Sequence, residues 1–121
     1  MDWSTEERIA RNDAAFRAAN EHIAKAAAEI RVGGALPFIC ECANRECSEI
    51  VLLSMREYEA VRSDSRHFFN VPGHQSAACG VGEVVERHEN FIVYEKQGHA
   101  GDVAEQLDER VHGGVGDVVA V

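Results

Sequence analysis

Three of the four cysteines lie within eight residues, in the stretch Pro37-Phe38-Ile39-Cys40-Glu41-Cys42-Ala43-Asn44-Arg45-Glu46-Cys47. The spacing is C-x-C-x4-C. It gathers three sulfurs at one tight turn, and the divalent metal that best suits so soft and compact a donor set is zinc. A structural zinc site takes four ligands, so one more donor must arrive from elsewhere. His74 is the first candidate. It ends the turn Pro72-Gly73-His74, follows a predicted strand and stands 27 residues beyond Cys47. Cys79, on a stretch of small residues, competes with it. His67 alternates down a strand, His88 lies at a hairpin and His99 sits between glycine-rich turns. An iron–sulfur cluster prefers four thiolates at other spacings. Three thiolates and a neutral imidazole leave a zinc centre formally anionic, which Arg45 and the N–H groups of the turn are placed to offset.

A catalytic zinc keeps an open position for water and needs a base beside it. Glu41 and Glu49 border the turn, but as charged residues next to a surface knuckle they are expected to be solvated. Three thiolates make zinc electron-rich and a poor Lewis acid. The exception, the cytidine-deaminase type of site, carries H-x-E and P-C-x-x-C, which this chain lacks. It also lacks a phosphate loop, G-x-S-x-G and H-E-x-x-H. Catalysis is therefore the weakest of the function classes the site allows.

The elements that must carry the site are legible along the chain. Ser4-Thr5-Glu6-Glu7 has capping-box form and predicts a helix from Thr5 to Arg31, rich in Ala and free of Gly and Pro. Ile9, Phe16, Ile23 and Ile30 recur every seven residues, with Ala19 and Ala26 between them. That is a narrow seam of heptad type, suited to a partner helix or a second copy, or to packing along the chain's own domain. Gly33-Gly34 should end the helix, the first glycine as a left-handed cap. Leu36–Ile39 and Ile50–Leu53 read as strands flanking the cysteine turn, and Ser54-Met55-Arg56-Glu57 as a second capping box opening a short helix to Ser63. Strands follow at 67–71, 83–88 and 91–95, the last two joined at Glu89-Asn90. A helical turn is expected over Asp102–Glu109.

The fold class expected is α+β. Residues 1–32 form the long helix, residues 33–98 a zinc-stapled core with a small antiparallel sheet and one short helix, and residues 99–121 an acidic, Gly-rich tail. With 121 residues, 45% apolar, the chain is one domain with a thin core. A core of this size commonly needs a staple such as zinc. The net charge is −9, with nine acids against three bases after residue 75. No Lys/Arg cluster offers a nucleic-acid surface. No window is apolar enough for a membrane span, and Met1-Asp2-Trp3-Ser4 does not open a signal peptide, so a cytoplasmic location with reduced thiols is expected.

Two resemblances meet at these residues. Cys40-Glu41-Cys42-Ala43-Asn44-Arg45-Glu46-Cys47 resembles the C-x-C-x4-C post-SET zinc segment of histone methyltransferases, over eight residues only. No SET-domain motif accompanies it, so the resemblance implies one knuckle with a remote fourth ligand and not methyl transfer. Over residues 8–108 the chain is similar to a group of small, mostly uncharacterised bacterial zinc-knuckle proteins. The similarity is carried by Phe16-Arg17 with Asn20-Glu21-His22-Ile23, Pro37-Phe38-Ile39-Cys40-Glu41-Cys42, Cys47, Glu57-Tyr58-Glu59-Ala60-Val61-Arg62, Phe69-Asn70-Val71-Pro72-Gly73-His74, and Val84-Val85-Glu86-Arg87 through Val93-Tyr94-Glu95-Lys96. The Pro-Gly-His turn belongs to that pattern and Cys79 does not, which favours His74 as fourth ligand. The expected function is a regulatory or adaptor protein that contacts a protein partner or a second copy through the N-terminal helix. The alternative is a thiol-based redox or metal sensor with Cys79 as resolving thiol, followed by a zinc enzyme.

Overall fold

The structure, a computed structural model, describes residues 3–31, 33–78 and 80–110. Helix α1 (Trp3–Glu29) is followed by strands β1 (Leu36–Ile39) and β2 (Ile50–Leu53) and by helix α2 (Met55–Arg62). Among the described residues, strand β3 (His67–Asn70), a 3-10 turn at His74–Ala78, strands β4 (Gly82–Arg87) and β5 (Ile92–Lys96) and helix α3 (Gly98–Gln106) follow. The fold is α+β, as its residues predict. Its strands divide between a β1–β2 antiparallel ribbon and a three-stranded antiparallel sheet ordered β3-β5-β4. The second capping box is formed in full: Ser54 Oγ accepts from Glu57 N, and Glu57 Oε1 accepts from Ser54 N. This satisfies two end groups of a short helix that could not stand alone.

Helix α1 differs from its sequence pattern in an informative way. Its buried face is Ile9, Ala10, Asp13, Ala14, Arg17, Asn20, Ala24 and Ala27, a stripe of small and polar residues. Of the heptad seam, Ile9 is buried, Phe16 and Ile23 are half-buried, and Ile30 is exposed. The seam thus lies at the margin of a face that packs on α3 and β1 of the same chain. Alanines allow close approach, and the polar side chains find partners that hydropathy cannot reveal. The helix also ends differently: Arg31, at φ 55°, takes the left-handed position expected of Gly33.

Two apolar clusters flank this helix. One joins Ala24 and Ala27 to Leu36, Phe38, Val51, Leu53, Tyr58, Val61, Phe69, Phe91 and Val93. Within it Phe38 stacks on Tyr58 at 4.4 Å, and Phe69 meets both rings edge-on. The other joins Ile9 and Ala10 to Val81, Ile92, Tyr94, Ala100 and Val103. Helix α3 supplies Ala100 and Val103, so residues 98–106 belong to the core and not to a tail. A Cβ at Gly101 would collide with the Lys96 carbonyl and the Arg66 guanidinium, so glycine there lets α3 lie against the end of β5. Residues 111–121, expected to be poorly ordered, lie outside the described residues.

Between the clusters, α1 reaches the rest of the chain through charges. Asp13 pairs with Lys96, both almost fully buried, and the Lys96 ammonium also lies 4.9 Å from the Phe68 ring. Arg17 donates to the carbonyls of Ser65 (2.6 Å) and Ala104 (2.8 Å) while its guanidinium covers Phe68 at 4.5 Å. Arg62 grips Asp108 with two bonds, of 2.6 and 3.1 Å. Removing one member of a buried pair strands the other charge. Lys96→Met alone is expected to lower the unfolding free energy by about 3–5 kcal/mol in urea titration, and Asp13→Leu with Lys96→Met together to recover most of that loss.

Candidate metal centre

The ribbon delivers the three cysteines. Cys40 follows β1 directly, and its N–H donates to the Glu49 carbonyl (3.0 Å), which closes the base of the loop. Asn44 shapes the turn: its carbonyl accepts from Cys47 N (2.9 Å) and its Oδ1 from Glu46 N (3.0 Å). His74 comes from a second loop. Val71 to His74 form a tight turn closed by His74 N donating to the Val71 carbonyl (2.9 Å). Pro72 occupies its second position and Gly73, at φ 99°, its third, the arrangement of a type II turn.

These two loops bring Cys40, Cys42, Cys47 and His74 together, with one ligand atom of each within 4.8 Å of all the others. Cys40 Sγ and Cys47 Sγ stand 3.5 and 3.6 Å from the same atom, His74 Nδ1. The backbone N–H of Val71 donates to Cys40 Sγ at 3.3 Å. That N–H, and not Arg45, which is exposed, is what meets the sulfur charge. Amide donors of this kind commonly surround metal-bound sulfur and tune it. In the chain without metal, burial holds the Cys40 and Cys42 thiols above the ordinary range. Neighbouring sulfurs add to this at Cys40, where the Val71 N–H opposes it; at Cys42 the Cys47 sulfur adds to it, while the Asn44 backbone and Cys40 oppose it. A cation at the centre reverses the balance, because thiolate is the ligating form. The four residues can hold a metal ion.

The other sequence candidates fall elsewhere. His67 Nε2 lies 2.9 Å from Glu95 and 3.4 Å from Asp64, a half-buried imidazole–carboxylate cluster apart from the cysteine knuckle. His88 stacks on Phe91 and His99 on Trp3. Cys79 lies outside the described residues. Glu49 is exposed, as expected, but Glu41 is not: it is fully buried. One of its oxygens accepts from Asn20 Nδ2 (2.9 Å), the other from Phe69 N (3.3 Å). Burial raises its carboxyl to about 7, against the lowering effects of Asn20 and Arg17.

Asparagines are the residues that sequence reasoning passed over. Asn20 donates to the Ile39 carbonyl and accepts from Ile39 N, each at 2.8 Å, so its amide pairs with β1 like a short strand. Asn12 donates to the Cys42 carbonyl at 2.8 Å. Both knuckle cysteines nearest β1 are thereby tied to α1. Asn90 caps the ribbon's other side, donating to the Leu52 carbonyl at 2.8 Å. The N-x-x-x-x-x-x-x-N spacing on α1 was the only trace of this in the sequence. Comparison with protein-family models, curated proteins and solved structures finds no match for the chain.

The folded Glu41 carboxyl titrates higher than the ~4.3 of an unfolded chain. Its contribution to stability is therefore fully present below about pH 4.3 and is lost as pH rises through about 7. Melting curves of the metal-free protein between pH 5 and 8 should show a decline that Glu41→Gln flattens.

Proposed function

We propose that this chain is a small zinc protein in which Cys40, Cys42, Cys47 and His74 hold one structural Zn2+, and that it works as a regulatory or adaptor module through protein contacts. The observation that carries the metal is the pair of sulfur-to-nitrogen separations, 3.5 and 3.6 Å, onto one imidazole nitrogen. Tetrahedral zinc, with Zn–S bonds of about 2.3 Å and Zn–N bonds of about 2.0–2.1 Å, sets sulfur and nitrogen about 3.5–3.6 Å apart. Two S–H groups donating to one imidazole lone pair would not produce that symmetry. Nδ1 is then the ligating nitrogen and Nε2 the free one.

Four protein ligands close a tetrahedron and leave no position for substrate or water. The carboxylate nearest the sulfurs, Glu41, is occupied by Asn20 and the Phe69 N–H, and so is not available as a base. Both features favour a structural ion over a catalytic one. Among the described residues no helix is long and apolar enough to cross a membrane. The exposed apolar side chains available to a protein partner include Trp3, Ile30, Ile50 and Leu52, so the N-terminal helix offers its two ends, the last seam residue Ile30 among them, more than the middle of its seam.

Native mass spectrometry before and after a chelator tests the metal. One zinc per chain is expected. His74→Ala should retain the three thiolates but bind zinc far more weakly, with a loss of at least tenfold to hundredfold. The sign of the pH dependence follows from the raised thiols. Protons compete with the metal, so zinc affinity should rise with pH between 6 and 8, with proton release on binding measurable by calorimetry in two buffers of different ionisation enthalpy. A chain that purifies without zinc and does not take it up would overturn the reading.

A further inference from the structure

The centre is not sealed equally on all sides. Cys40 is fully buried and held by the Val71 N–H, whereas Cys47 and His74 are half-buried. Beside them a hollow of about 210 Å³, lined by Cys42, Asn44, Gly73, His74 and Ser76, opens toward solvent. One of the three sulfurs, that of the half-buried Cys47, can therefore be met from outside, while Cys42, itself buried, lines the wall of the hollow beside it. Their Sγ atoms lie within 4.8 Å of each other, on opposite limbs of the turn that Asn44 closes. Cys40 and Cys42, by contrast, are two residues apart on extended chain and would form a strained bridge.

We infer that the centre is a thiol switch: a small hydroperoxide converts Cys42 and Cys47 to a disulfide, and the zinc is released. This rests on the zinc reading above. Metal ligation keeps the sulfurs in the thiolate form, so the nucleophile is present at neutral pH. The Cys47 thiolate attacks the terminal peroxide oxygen. The O–O bond breaks, the alkoxide takes a proton from water and leaves as alcohol, and Cys47 becomes a sulfenic acid. The Cys42 thiolate then attacks that sulfur. An S–S bond forms, the S–O bond breaks, and hydroxide leaves and is protonated. The two cysteines lose two electrons and the peroxide gains them. Zinc retains only Cys40 and His74 and dissociates, which unfastens the Pro72–His74 loop from the ribbon. Cys79 takes no part.

The test uses the full chain and its Cys79→Ser variant. Zinc content of the reduced protein is measured first, so failure of the zinc reading is seen before any oxidant is added. Both proteins are then titrated with tert-butyl hydroperoxide in the presence of a zinc-binding dye, and the products are mapped by peptide mass spectrometry. The expected result is about one zinc released per peroxide consumed, a Cys42–Cys47 disulfide in both proteins, and recovery of zinc binding after thiol reduction. Retention of zinc after several equivalents of peroxide would overturn the switch while leaving the structural zinc intact. Release that depends on Cys79, or a disulfide that includes it, would also overturn the assignment.

Discussion

The structure depends on α1 burying a polar face and satisfying every group on it. A buried carboxylate, guanidinium or amide without a partner is costly by several kcal/mol. On α1 each such group is met by a different distant segment: Asp13 by Lys96 at the end of β5, Arg17 by the carbonyls of Ser65 and Ala104, and Asn20 by the backbone of β1. Hydrophobic burial between Ala and aromatic surfaces would hold these segments near the helix without fixing their register. The polar partners fix it, because a shift of one residue would leave several of them unpaired at once. The helix is in this sense the frame to which the ribbon, the sheet and α3 are fastened.

The metal centre inherits its precision from that frame. Asn20 and Asn12 tie the backbone on either side of Cys40 and Cys42 to α1, and Glu41 N donates to the Phe69 carbonyl, joining the knuckle to β3 and so to the loop that bears His74. The donors are brought within reach by these backbone and side-chain contacts. Burial of the sulfurs opposes their charge, which a bound cation would compensate.

Much of this was legible in the residues. C-x-C-x4-C with a Pro-Gly-His turn pointed to the four residues that the fold clusters and that could hold a metal ion, and alternation and capping placed β1, β2 and α2 within a residue of their observed bounds. The misses share a cause. The period-seven seam marked only the margin of the buried face of α1, because the rest of that face is built from alanines and from Asp13, Arg17 and Asn20, whose burial depends on partners 19 to 87 residues away. Glu41 looked solvated for the same reason: its charge is read from the sequence, and its partners Asn20 and Phe69 N–H are not. Helix α3 was underestimated because Gly98 and Gly101 lower helix propensity, while the close approach that Gly101 permits is a tertiary matter.

The two asparagine contacts on the ribbon have a consequence for how copies of the protein meet. A two-stranded ribbon has two free edges, each a template for another strand. Here the Asn20 amide pairs with both backbone groups of Ile39 on the outer side of β1, and Asn90 takes the Leu52 carbonyl on the outer side of β2. Side-chain amides of the same chain thus occupy a backbone position on each border, at Ile39 on β1 and at Leu52 on β2, which hinders a further strand from docking there beside the exposed Ile50 and Leu52.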